Sequence, residues 1–229
     1  MNAFTIPLWA DLLAVAIGSL QGAMFAAQFR DRRLDLLGVA IIGIATGFGG
    51  GLIRDLLLNE TPKALLSNWY LPTATVFALV GMLLERLFSR LQKVITVLDA
   101  LTLGLFGAIG TTAALSTGLP AVPSVFVGAI AAVGGSILRD MLLNLPIALM
   151  HVGSLYAVAA LAGAVSLVVL VGFGVDILVA AGVCVALTFL LRVLAVLFKW
   201  SLPEQRRIER IPRIVRLVRR RRDRDADPA

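Results

Sequence analysis

The chain has 229 residues, of which 59% are hydrophobic and 15% charged, with a formal net charge of +7. A soluble domain is about 45–50% apolar, so this balance, with a mean hydropathy of +0.93, excludes an ordinary soluble fold and points to an all-α integral membrane protein. Barrel strands would alternate over segments of about ten residues, and these apolar runs are longer and unbroken.

Punctuation by charge, Pro and Gly divides the chain into seven predicted spans, at roughly 8–29, 34–58, 68–89, 93–116, 121–143, 150–172 and 176–199. The opening "MNAFTIPLWADLLAV" lacks a basic n-region and a small-residue cleavage site, which reads as a retained first span. Asp11 begins that span and Asp99 the fourth; both suit the N-terminal dipole, and capping is expected of them before pore lining. Asp176 opens the seventh span in the same way. Thr46, Thr111 and Thr112 fit a path or simple packing equally well. Arg192, two turns before the end of the last span, is expected to snorkel toward water. Cys184 reads as a small core residue and His151 as an ordinary polar residue at a helix start.

The loops set an expected direction. "RDRR" (30–33) follows the first span, and Arg86, Arg90 and Lys93 surround the third connection. The fourth and sixth connections carry no charge. Basic loops favour the cytoplasmic side, so the N-terminus is expected outside and the C-terminus inside. Residues 204–229 hold ten basic and five acidic side chains, leaving a body of only +2. The high pI is thus a tail property and no argument for nucleic-acid binding. Within this tail (201–229), Arg206, Arg207, Arg210, Arg213, Arg216 and Arg219 alternate with apolar residues at helical spacing. That pattern suits a basic segment on an anionic inner leaflet, or an ordinary solvated charge run.

The chain also repeats itself. "GGGLIRDLLLN" (49–59) returns as "GGSILRDMLLN" (134–144). Gly49, Gly50, Arg54, Asp55 and Asn59 match Gly134, Gly135, Arg139, Asp140 and Asn144. "DLLAVAIGSLQGA" from Asp11 resembles "DALTLGLFGAIGT" from Asp99. A unit of three spans (about 8–89) therefore recurs (about 93–172), and an odd number of spans makes the second copy enter from the opposite face. The expected architecture is two inverted three-helix repeats plus a seventh helix (about 176–199), together a membrane domain over 1–200. Glycine clusters in the second and fifth spans suggest broken helices or close backbone approach. Charges near mid-membrane cost at least about 2.5–3.5 kcal/mol each, so Arg54, Asp55, Arg139 and Asp140 should face water, one another or carbonyls, unless the arginines merely snorkel from the helix ends. Adjacent residues leave a helix about 100° apart, so each arginine is expected to find a partner other than its own neighbour.

At these residues the sequence resembles the prokaryotic trimeric intracellular cation channels, a family overlapping the small bacterial membrane proteins labelled "glycine transporter domain". The resemblance spans about residues 8–199. It implies a homotrimer in the bacterial inner membrane, with one potassium-permeable monovalent cation path through each subunit. It also implies helices kinked at Gly49, Gly50 and Gly51 and at Gly134 and Gly135, with Arg54, Asp55, Arg139 and Asp140 along the path. The third glycine of the second copy is replaced by Ser136, whose hydroxyl can bond back to its helix. No cofactor is implied, one histidine and one cysteine give no metal-ligand set, and neither HExxH nor GxSxG is present, so an enzyme is not expected. The architecture equally permits a secondary transporter of glycine or another small solute.

Overall fold

A computed structural model describes residues 6–29, 34–87, 92–150 and 155–200. Arg30, Arg32, Arg33, Arg90, His151 and the whole basic tail lie outside the described residues, so the expectations placed on them stand as expectations.

The described chain is helical: α1 Leu8–Ala27, α2 Leu36–Leu57, α3 Lys63–Leu66, α4 Tyr70–Leu87, α5 Gln92–Ser116, α6 Ala121–Leu142, α7 Tyr156–Gly172 and α8 Ile177–Leu197. Six of these are long and apolar enough to cross a membrane; α7, at 17 residues, is shorter. The sixth span was expected from 150, but a 3-10 turn occupies Ala148–Met150 and the helix begins only at Tyr156. The four-residue α3 in the second connection carries no apolar period and was not foreseen.

Each repeat packs as a unit, α1 with α2 and α4, and α5 with α6 and α7. The units meet chiefly where α2 crosses α6, and α8 rests on α5 and α7. Two contacts show the inversion. Asp11, in the first turn of α1, lies beside Arg54 at the end of α2. Gln21, ten residues further along α1, donates to Asp99 near the start of α5. At 1.5 Å per residue that is about 15 Å along the axis, so the equivalent ends of the two repeats lie at opposite ends of the bundle.

Alanine and glycine dominate the interior: Ala14, Ala23, Ala74, Ala78, Ala114, Ala159, Ala164 and Ala180 are all fully buried. Large apolar side chains face outward instead, among them Leu57, Leu83, Val165 and Leu190. This inside-out arrangement suits lipid, where close approach of small residues holds helices together. All three tryptophans, Trp9, Trp69 and Trp200, are exposed at helix ends, where amphipathic rings sit at a membrane boundary. Cys184 is fully buried against Gly163, the core residue expected.

Candidate functional site: two inverted charge clusters

The glycine motifs lie where α2 and α6 cross. Both helices are α-helical throughout, and what the glycines provide is contact. A methyl at Gly49 would stand 2.8 Å from the Gly135 Cα. One at Gly50 would run into the Ala131 carbonyl, and one at Gly135 into that of Thr46. Gly134 lies against Ile53 and Gly50. Gly51 differs: a methyl there would meet only an Arg54 nitrogen, at an ordinary contact distance of 3.9 Å. At the matching position Ser136 donates its hydroxyl to the Val133 carbonyl at 2.8 Å, the bond back to the helix that its chemistry suggests. Thr46 and Thr111 do likewise, to Ile42 and Gly107, so these hydroxyls serve their own helices. Thr112 is buried as well.

One turn beyond the glycines, each helix end is built twice over from the same parts. Asn59 and Asn144 adopt left-handed backbone, φ 55° and 46°. Glu60 N–H donates to the Asp55 carbonyl and Asn59 N–H to that of Leu56; Leu145 and Asn144 repeat both bonds to Asp140 and Met141. This is a Schellman cap with asparagine in the αL position. The aspartate side chain then ties down the returning loop. Asp55 Oδ2 accepts from Lys63 N–H at 2.8 Å, and Asp140 Oδ2 from Ala148 N–H at 3.0 Å, each eight residues on. The recurring RD-x-L-L-N is therefore first a helix terminator with its own loop clasp.

The arginine completes a buried cluster. Arg54 Nε donates to Asp55 Oδ1 at 2.7 Å, and Arg139 Nη2 to Asp140 Oδ1 at 2.8 Å. This corrects the expectation that neighbours would not pair. The arginine stem is long enough to curl round the helix, and the aspartate is already pinned by the loop amide. Each arginine also reaches the other repeated carboxylate, Arg54 to Asp11 at 3.4 Å and Arg139 to Asp99 at 3.6 Å. A tyrosine donates to that carboxylate in both copies, Tyr70 to Asp11 at 2.8 Å and Tyr156 to Asp99 at 3.2 Å. Arg54 and Arg139 are 1% and 4% exposed, which is incompatible with snorkelling from a helix end.

Two further expectations are corrected. Asp11 lies in the first turn of α1 but caps nothing, since Pro7 holds the N-cap position, and Asp99 is two turns into α5; both are claimed by arginine and tyrosine instead. Asp176 does cap α8, accepting from Leu178 and Val179 N–H. Arg192 does not snorkel. It is 8% exposed, with Nη2 3.5 Å from Asp99 Oδ2 and its guanidinium 4.5 Å from the centre of the Tyr156 ring. Sequence reasoning missed Tyr70 and Tyr156. They are the only two tyrosines in the chain and fall 86 positions apart, close to the repeat offset, which was the available signal.

Each cluster floors a cleft. One of about 450 Å³ ends on Asp11 and Tyr70, with Glu60 and Lys63 in its wall. Past it, toward Gly51 and Phe106, the space narrows to about 10 Å³ beside Arg54, room for roughly one water. At the other end a cleft of about 370 Å³ ends on Asp99, Arg139, Asp140, Tyr156 and Arg192. Between the clefts lies the glycine crossing.

The family model described as "Glycine transporter" matches residues 8–86 and again 96–172, one match to each repeat. The chain belongs to this family. Relatives share it over most of their length. The UPF0126 inner membrane protein YadS of Escherichia coli is 32% identical over 202 residues, 85% of this chain and 94% of that one. A UPF0126 membrane protein of Deinococcus radiodurans is 36% identical over 158 residues, 68% of this chain and 72% of that one. Among solved structures, one that addresses conductance through TRIC cation channels superposes with a TM-score of 0.78 at 32% identity, covering 89% of this chain and 98% of that one. The TRIC trimeric intracellular cation channel orthologue from Rhodobacter sphaeroides matches with a TM-score of 0.78 at 30% identity, over 84% of this chain and 98% of that one. The fold is thus that of the TRIC channels, and the family is one described by glycine transport.

Proposed function

We propose that the protein is a cation channel, permeable to potassium, with one path through each subunit of a homotrimer in the bacterial inner membrane. The observation that carries this reading is the pair of clefts at opposite ends of the bundle, each ending on a copy of the same buried Asp–Arg–Asp–Tyr cluster. A path joining them runs along the α2/α6 crossing, where Gly51 and Ser136 present small side chains. On this reading Arg54 and Arg139 stand in that path as its gate. Carboxylates on either side give each arginine a seat, and withdrawal of the guanidinium would leave acidic walls for a cation. An arginine moving in the membrane field gains about 2.3 kcal/mol per charge per 100 mV, enough to bias such a gate.

The similarity to the TRIC channels supports the same reading. The basic first and third connections and the tail are placed on the cytoplasmic side by the positive-inside rule. The test is charge removal: Arg54→Ala and Arg139→Ala should each alter conduction in planar bilayers while the oligomer elutes unchanged in detergent. Normal conduction by both variants would remove the arginines from the path.

A second reading is favoured by one observation, that both clefts are closed toward each other at once. Alternating access in a transporter of glycine passes through such a state, and the positive arginines would suit its carboxylate.

A further inference from the structure

The two clusters are not equal in charge. Among the described residues the first sets Asp11 and Asp55 against Arg54, a formal −1, and Glu60 and Lys63 in the cleft wall offset each other. The second sets Asp99 and Asp140 against Arg139 and Arg192 and is neutral. The added arginine comes from α8, which lies outside both repeats and packs on the second one. We propose that Arg192 sets the charge selectivity of the second mouth, making it less attractive to cations than the first, and so gives a symmetric fold a preferred direction of current. The proposal rests on the cation-path reading.

The bonding of Arg192 argues against a purely structural part. A buried guanidinium has five N–H donors to satisfy, yet among the described residues its Nε and Nη1 have no hydrogen-bond partner. Its ion pair with Asp99 is long, at 3.5 Å, and is made to a carboxylate that Arg139, Tyr156 and Gln21 already engage. A side chain kept for stability would gain more as an apolar residue of similar volume. What Arg192 supplies beyond packing is a positive charge at the cleft floor.

Selectivity and rectification read this charge directly. The wild type should pass more current when cations enter by the first mouth. Arg192→Gln should raise the K⁺/Cl⁻ permeability ratio, read from reversal potentials across a KCl gradient, by about twofold or more. That is the effect of one unit charge some 8 Å from the ion at the dielectric constant of water. It should also bring the current ratio at opposite voltages toward one. Arg192→Lys, which keeps the charge, should restore wild-type values, and Arg192→Met, a neutral unbranched side chain with no polar group to bury, should show the neutral-variant values if glutamine impairs assembly. Wild-type selectivity in both neutral variants would overturn the proposal and leave the channel reading standing. Equal changes in the lysine and neutral variants would assign the effect to shape and also overturn it. Absence of cation current in the wild type would overturn both readings.

Discussion

Truncating Arg54 to alanine is the sharpest test of the buried clusters. Its guanidinium is almost wholly enclosed, with contacts of 2.7 Å to Asp55 and 3.4 Å to Asp11. The Arg54→Ala variant leaves two carboxylates in the bundle, one keeping the Tyr70 hydroxyl and the other the Lys63 amide. Breaking a buried pair by removing one partner costs about 3–5 kcal/mol, because the orphaned charge must stay desolvated. For a chain of this size that corresponds to about 6–20 °C in melting temperature. Adding Asp11→Asn removes one uncompensated charge while keeping the shape and an oxygen for Tyr70, and should recover roughly 2 kcal/mol. Arg139→Ala should cost less than Arg54→Ala, since Arg192 remains beside Asp99. Thermal unfolding in detergent, read by tryptophan emission, measures all four proteins. A loss below about 1 kcal/mol for Arg54→Ala, or a further loss on adding Asp11→Asn, would show that the cluster is hydrated and refute the reasoning.

Three other outcomes follow from the geometry. Gly51→Ala, whose methyl would meet Arg54 only at an ordinary contact distance, should be neutral or stabilise by up to about 1 kcal/mol through helix propensity, whereas Gly50→Ala, driven into the Ala131 carbonyl, should cost about 1–3 kcal/mol; melts of the two side by side check the crossing. Asn59→Gly and Asn144→Gly should fold as well as the parent, while the alanine variants should each lose about 1 kcal/mol because alanine lacks the short polar side chain that lets asparagine adopt positive φ. Single cysteines at Ser116 and Asp225, in a Cys184→Ala background, should be labelled by an impermeant maleimide from opposite sides of the membrane; labelling of both from one side would remove the seven-span topology.

Much of this was legible because a membrane fold writes its period in long apolar runs. The duplicated glycine and Arg–Asp motifs then revealed the inverted repeat, including its odd number of spans. The site was legible in part. Arg54, Asp55, Arg139 and Asp140 stood out as charges that lipid would not tolerate. Their partners did not stand out, since a pairing such as Asp11 with Arg54 depends on which helix ends meet. The face rule for adjacent residues failed at Arg54–Asp55 because it concerns where a side chain leaves the helix and ignores how far arginine can curl back. Asp11 and Asp99 read as caps because position near a helix start was visible and the waiting guanidinium was not. The tyrosines carried the repeat offset as clearly as the arginines, yet an aromatic at a helix start is too common to draw notice without its carboxylate.

If a passive cation path joins the two clusters, ion flux from the purified protein in liposomes will show it. With potassium flux and radiolabelled glycine uptake followed in the same preparation, potassium should run down its gradient without saturating at millimolar concentration, and Arg54→Ala and Arg139→Ala should alter that flux. Saturable glycine counterflow from vesicles that pass no potassium would contradict the cation path.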